Sequence, residues 1–167
     1  MSARNLRLSF GVAAVGLIVS ANAFAQKDLK SQIVGAYSLA SIYDQLADGK
    51  KNDTSGEGVE GSAIFTSSGA FSVQIIAANR HNNSAQGSRD PIGPIGTYYG
   101  TYAVDDASKT MTYHIQRSSF PGWNGIDRKA TIESITGSEL DIFAPVKGDP
   151  KLGDFVAHLN WKREGAS

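Results

Sequence analysis

The 167-residue chain carries 16 Lys+Arg against 16 Asp+Glu and contains no cysteine. That balance leaves no electrostatic footprint for nucleic acid or an anionic membrane surface. The absent thiols exclude cysteine nucleophiles, disulfide staples, Cys-ligated zinc and iron–sulfur clusters, so any stability must come from the core.

The chain opens on Arg4 and Arg7, followed by a twelve-residue apolar run from Leu8 to Val19. Ala23-Phe24-Ala25 then gives a small-x-small cleavage site before Gln26, the three-part pattern of a secretory signal over 1–25. Twelve apolar residues are too few for a permanent bilayer span, so no stable membrane insertion is expected after cleavage. The product is expected to be exported, periplasmic or secreted. Removing two arginines and no acid leaves 14 basic against 16 acidic residues, a mature charge of −2. Residues 26–167 are long enough for one domain with a real core and too short for two.

A polar lead, Lys27 to Gln32, suggests a helical turn. Ile33 to Tyr43 reads as the first strand, with Tyr37, Leu39, Ser41 and Tyr43 on one face and Ala36, Ser38, Ala40 and Ile42 on the other. Asp48 to Glu57 is charged, Gly-containing and free of large apolar residues, an exposed loop. Val59 to Thr66 and Phe71 to Ala77 flank Ser67-Ser68-Gly69-Ala70 as a hairpin. Asn79 to Gly96, rich in Asn, Ser, Gly and Pro, is the longest irregular stretch.

The central hairpin pairs Thr97–Val104 with Thr110–Arg117 across the polar turn Asp105 to Lys109. Ser118 to Gly125 is a turn bearing Phe120 and Trp123. Ile126–Ile135 pairs with Glu139–Ala144 across Thr136-Gly137-Ser138, Pro145 to Leu152 is a polar loop, and Gly153 to Lys162 is the last strand. Eight sequential strands with no amphipathic helix between them exclude a parallel βαβ architecture. The pattern predicts an all-β, eight-stranded antiparallel up-and-down barrel, which removes edge strands and leaves one small-ligand cavity. A two-sheet sandwich is the competing arrangement.

Several of these pieces, in order, resemble a known family. Gly35-Ala36-Tyr37 is similar to the Gly-x-Trp opening of lipocalins, with Tyr replacing Trp. Leu159-Asn160-Trp161-Lys162-Arg163 places an Arg where lipocalins stack one over that opening aromatic. Between them come Ala63-Ile64-Phe65-Thr66, Phe71-Ser72-Val73-Gln74, Tyr99-Gly100-Thr101-Tyr102, His114 and Ser119-Phe120-Pro121-Gly122-Trp123. The series, spanning about Ser31 to Arg163, resembles the bacterial and fungal lipocalin-like domain family, a calycin-type barrel. The resemblance implies the fold well and the task poorly, because one barrel hosts many functions.

If Tyr37 and Arg163 face inward at a closed end, Phe155, Ala157, Leu159 and Trp161 share that interior and His158 points outward. On the strand Thr110–Arg117, hydrophobicity assigns Met111, Tyr113, Ile115 and Arg117 to the interior, whereas the resemblance draws attention to His114 on the other face. A one-residue slip would exchange the two sets. His114 offers a hydrogen-bonding or acid–base imidazole if it faces the cavity, and otherwise sits in the sheet beside Gln116 or Tyr102. Arg128, which fits the family pattern, offers a bidentate partner for an anion. Gln74 and Arg80 are placed to line an open mouth. Tyr99, Tyr102 and Tyr113, with Tyr98, suit either a pocket for an apolar ligand with a polar handle or an ordinary β core.

No Gly-x-Ser-x-Gly, P-loop or dinucleotide fingerprint is present, and His81, His114 and His158 are too scattered for a metal site. No cofactor is expected. The candidate ligand-binding set is Gln74, Tyr99, Tyr102, Tyr113, His114, Gln116 and Arg128. The preferred function is binding of a small hydrophobic or amphipathic molecule in the barrel. The alternative is an isomerase, cyclase or hydrolase that uses the same cavity with His114 as acid or base.

Overall fold

The computed structural model describes residues 28–53, 56–77 and 95–166. The expected leader 1–25, and Arg80 and His81 of the long irregular stretch, lie outside the described residues. Nine strands follow in chain order: β1 (Gly35–Leu46), β2 (Lys51–Asn52), β3 (Glu60–Phe65), β4 (Ala70–Ile76), β5 (Ile95–Asp105), β6 (Thr110–Ser118), β7 (Asp127–Ile135), β8 (Glu139–Asp149) and β9 (Gly153–Arg163). A short helix α1 (Leu29–Ile33) precedes them, and a 3-10 turn (Pro121–Trp123) joins β6 to β7.

Each long strand pairs antiparallel with its neighbour, and β9 returns to pair with β1. The result is a closed eight-stranded barrel built from β1 and β3–β9, the architecture expected from the strand series. The two-residue β2 is an addition. It lies outside the ring and pairs only with the end of β1, at Asp44↔Asn52 and Gln45↔Lys51. Part of the charged Asp48–Glu57 segment is thus an outer strand rather than loop. Other boundaries move: Ile33 closes α1, so the first strand begins at Gly35 and runs on to Leu46, β5 begins at Ile95, and β8 runs on to Asp149 into the stretch expected to be loop.

The barrel is packed at one end. Ile33, Tyr37, Phe65, Phe71, Met111, Ile132, Leu140 and Trp161 are buried there as one cluster. Helix α1 seals this end. Its start is capped by Asp28, whose carboxylate accepts from the Ser31 backbone N–H at 2.8 Å. The Tyr37 hydroxyl donates to the Ile33 carbonyl at 2.7 Å, tying helix to strand. Arg163 lies over the Tyr37 ring, 4.7 Å from its centroid, and donates to the carbonyls of Val34 and Gln32 at 2.7 and 2.5 Å. A Cβ on Gly35 would collide with that guanidinium, so the glycine of Gly35-Ala36-Tyr37 makes room for the arginine.

Two bulges decide which side chains look inward beyond the packed end. The β1–β9 register shifts between Leu39 and Ser41, so side-chain parity reverses there. Tyr37 and Leu39 point in as expected, but beyond the bulge Ile42 and Asp44 take the interior. Tyr43 stacks outside on His158, with ring centroids 4.5 Å apart. The expected inward assignment of Ser41 and Tyr43 is therefore corrected. The second bulge is on β6. Tyr99 pairs with Arg117 while Gly100 pairs with Ile115, leaving Gln116 as the extra residue. Met111, Tyr113 and Ile115 are buried as hydrophobicity assigned them, but Arg117, on the far side of the bulge, is exposed.

Candidate functional site

Opposite the packed end the barrel opens into a cavity of about 740 Å³. Small and apolar side chains make most of its wall: Ile42 from β1, Ile75 and Ala77 at the end of β4, Ala130 from β7, and Ala144, Ala157 and Leu159 from β8 and β9. Small residues on several strands leave the space, where the packed end has Phe, Tyr and Trp. The volume lies within the range of small-molecule pockets.

The aromatic side of the mouth is built from the β5–β6 pair and the 3-10 turn. Tyr113 sits against Phe71, 4.9 Å between centroids, and edge-on to Tyr98 at 6.4 Å. Tyr98 in turn meets Trp123 edge-on at 5.5 Å, and Phe120 lies 4.6 Å from Trp123. The turn is held by the Asn124 side chain, which accepts from the Ser118 N–H at 2.8 Å, and by Ser119, which donates to the Ile95 carbonyl at 2.9 Å. Trp123 is thereby fixed in the cavity wall against Tyr98.

Among the described residues, five charged ones line the cavity: Arg128, Asp44, Lys129, Lys147 and Asp149. Arg128, half-buried on β7, lies over Trp123 with its guanidinium carbon 4.0 Å from the ring centroid. Among the described residues it donates one hydrogen bond, to the Pro145 carbonyl at 3.3 Å. Burial draws its guanidinium below the ordinary value, an effect the neighbouring Tyr98 opposes. Asp44 on β1 is 8% exposed and has a polar interaction of its own. Burial also pushes the Tyr98 phenol up to about 12, with Arg128 pulling it down, and holds Tyr113 well above the ordinary tyrosine value. Both phenols are neutral donors at physiological pH.

The expected site residues divide between three places. Tyr113 and Arg128 line the cavity. Tyr102 belongs to the packed end, edge-on to Phe65 at 5.3 Å with its hydroxyl donating to the Thr66 carbonyl at 2.9 Å. Gln74, Tyr99, His114 and Gln116 are on the outer face and do not line the cavity. The His114 ring points outward, its Nδ1 2.8 Å from Asp127 Oδ1 with both side chains more than half exposed. Acid–base chemistry by His114 inside the cavity is therefore ruled out by position.

Sequence reasoning missed Asp44 and Ile42, because the β1 bulge leaves no mark in the residue pattern. Tyr98 was legible from its place in the tyrosine run and its two-residue offset from the buried Gly100. Among the described residues, no three His, Asp or Glu side chains converge to hold a metal ion. No described helix is long and apolar enough to cross a membrane.

No curated protein matches the chain. The family model for the lipocalin-like domain matches residues 34–163, from the end of α1 through the arginine that closes β9. With that match covering nearly the whole closed barrel, the chain belongs to the lipocalin-like domain family.

Proposed function

We propose that this protein is exported and holds a small hydrophobic molecule in the open half of its barrel. The observation that carries the reading is the cavity itself: about 740 Å³, walled mainly by Ile, Ala, Leu and aromatic side chains, in a barrel whose other end is densely packed. Transfer of an apolar ligand from water into such a space is favourable by about 0.8 kcal/mol for each methylene withdrawn from solvent. Closure of the sheet pre-forms the site, so little ordering cost opposes binding. The family membership supports a ligand-binding barrel. The leader at 1–25 supports a periplasmic or secreted location.

Two measurements test this reading. Titration of the mature chain with N-phenyl-1-naphthylamine, a neutral apolar fluorophore, is expected to give saturable one-to-one binding and a raised unfolding midpoint. Absence of saturation would exclude an open apolar cavity in solution. Amino-terminal sequencing of the protein recovered outside the cytoplasm is expected to begin at Gln26. An intact Met1 on protein retained in the cytoplasm would exclude export.

A further inference from the structure

Resting on that reading, we propose that the cavity takes an amphipathic monocarboxylate, an apolar body with one anionic group, and that Arg128 is the residue that receives the anion. The guanidinium projects from β7 into a wall made mostly of apolar and aromatic side chains, to which Asp44, Lys129, Lys147 and Asp149 also contribute. Among the described residues the ion pairs are Lys50–Asp48, His114–Asp127 and Lys147–Asp154, and none includes Arg128. Its partners among the described residues are the Trp123 ring face and one carbonyl. A guanidinium has five N–H donors, and among the described residues the Pro145 carbonyl is the one acceptor for that fork.

A half-buried cation supported by a π face and one carbonyl is held in place but incompletely satisfied. The guanidinium carbon stands 4.0 Å from the Trp123 ring centroid, a cation–π contact that leaves the N–H edge able to donate. A carboxylate meets that edge with two parallel hydrogen bonds, the arrangement that planar pre-organisation favours. Three further charged residues line the mouth, Lys129, Lys147 and Asp149, and the Asp149 carboxylate accepts from the Lys151 and Leu152 N–H groups. Lys147 is engaged by Asp154 at 2.8 Å. Asp44 reaches the same cavity from β1, three strands round the closed ring from β7, and has its own interaction. Its buried carboxylate disfavours a second negative charge on the ligand, and the apolar walls between the two groups suit an uncharged body.

The test displaces N-phenyl-1-naphthylamine from the mature protein with three ligands of one chain length: decanoate, decanol and decylamine. Decanoate is expected to compete at concentrations roughly ten- to a hundredfold lower than decanol, the range for a charge-assisted hydrogen-bonded pair. In Arg128→Gln, with both compared against the fluorophore's own affinity for that variant, the acid is expected to lose its advantage over the alcohol. Arg128→Lys, which keeps the charge but not the fork, is expected to retain part of it. Equal competition by acid and alcohol would overturn the proposal, and so would tighter competition by the amine. An acid preference that survives in Arg128→Gln would overturn the role of Arg128. The acid–alcohol comparison needs no variant, so a misfolded substitution does not remove the test. Failure of the fluorophore itself to bind the wild type would overturn the cavity reading, and this proposal with it.

Discussion

His158 lies face to face on Tyr43 outside the barrel, with ring centroids 4.5 Å apart and planes 10° from parallel. Phe143 approaches the same imidazole to 4.3 Å, and the Gln45 side-chain oxygen lies 3.1 Å from its Nε2. The stack exists because the bulge after Leu39 turns Tyr43 outward, onto the strand neighbour with which it is in register.

Burial among these groups holds the His158 imidazole below its ordinary value of 6.5, with Glu133 opposing the shift and Lys51 reinforcing it. The unfolded chain takes up this proton near 6.5, and the folded protein only at lower pH. Between those points the unfolded state holds more protons, so stability rises with pH. The His158 contribution is complete above 6.5 and is lost as pH falls through that window. Urea unfolding on both sides of pH 6.5 is expected to show a decline on acidification that His158→Phe, which keeps the stack, removes. The same slope in both proteins would place the titration elsewhere.

Gly100 is expected to tolerate no side chain. A Cβ there would collide with the His114 carbonyl oxygen and stand 3.0 Å from the Gln116 nitrogen, both backbone atoms of the bulged strand. Neither can rotate away. Gly100→Ala is predicted to destabilise by about 2–3 kcal/mol, the cost of overpacking against backbone, read as a lower urea midpoint. A midpoint within experimental scatter of the wild type would show that the β5–β6 bulge is absent or can relax.

Arg163 closes the packed end through two carbonyls and the Tyr37 face. Arg163→Ala removes all three contacts and frees the helix α1 that rests on them. A loss of about 3 kcal/mol is expected, from charge-assisted bonds and the buried carbonyls left behind. Arg163→Lys should recover only part, because a point charge cannot donate to both carbonyls in the plane of the ring. Hydrogen exchange of the Ser31 and Gln32 amides is the local readout. Unchanged protection in Arg163→Ala would show that α1 docks without the arginine.

His114→Ala is expected to change little. The pair with Asp127 is solvated on both sides, and exposed ion pairs of this kind contribute within about 0.5 kcal/mol. Affinity for N-phenyl-1-naphthylamine should match the wild type, since the ring is outside the cavity. A large loss of binding would mean that β6 is turned over, with His114 inward.

Residue order alone determined much of this protein. Alternating runs with polar turns every few residues, and no amphipathic helix between them, led to a closed antiparallel barrel. The resemblance of Gly35-Ala36-Tyr37 and of the strand ending at Arg163 to the lipocalin opening and closing strands led to its sealed end, where Arg163 lies over Tyr37. The alternation of Met111, Tyr113 and Ile115 also identified the buried face of β6 correctly on hydrophobicity.

Only the tertiary structure decided what faces the cavity. Side-chain direction in a strand has a period of two, so one inserted residue reverses every position beyond it. The bulge after Leu39 exchanged Tyr43 for Asp44, and that at Gln116 turned Arg117 out of the interior. Neither leaves a composition signal, because both depend on how two strands distant in sequence fit together. The place of Arg128 against Trp123 has the same origin: a turn folded back over the mouth joins residues whose partnership exists only once the barrel has closed.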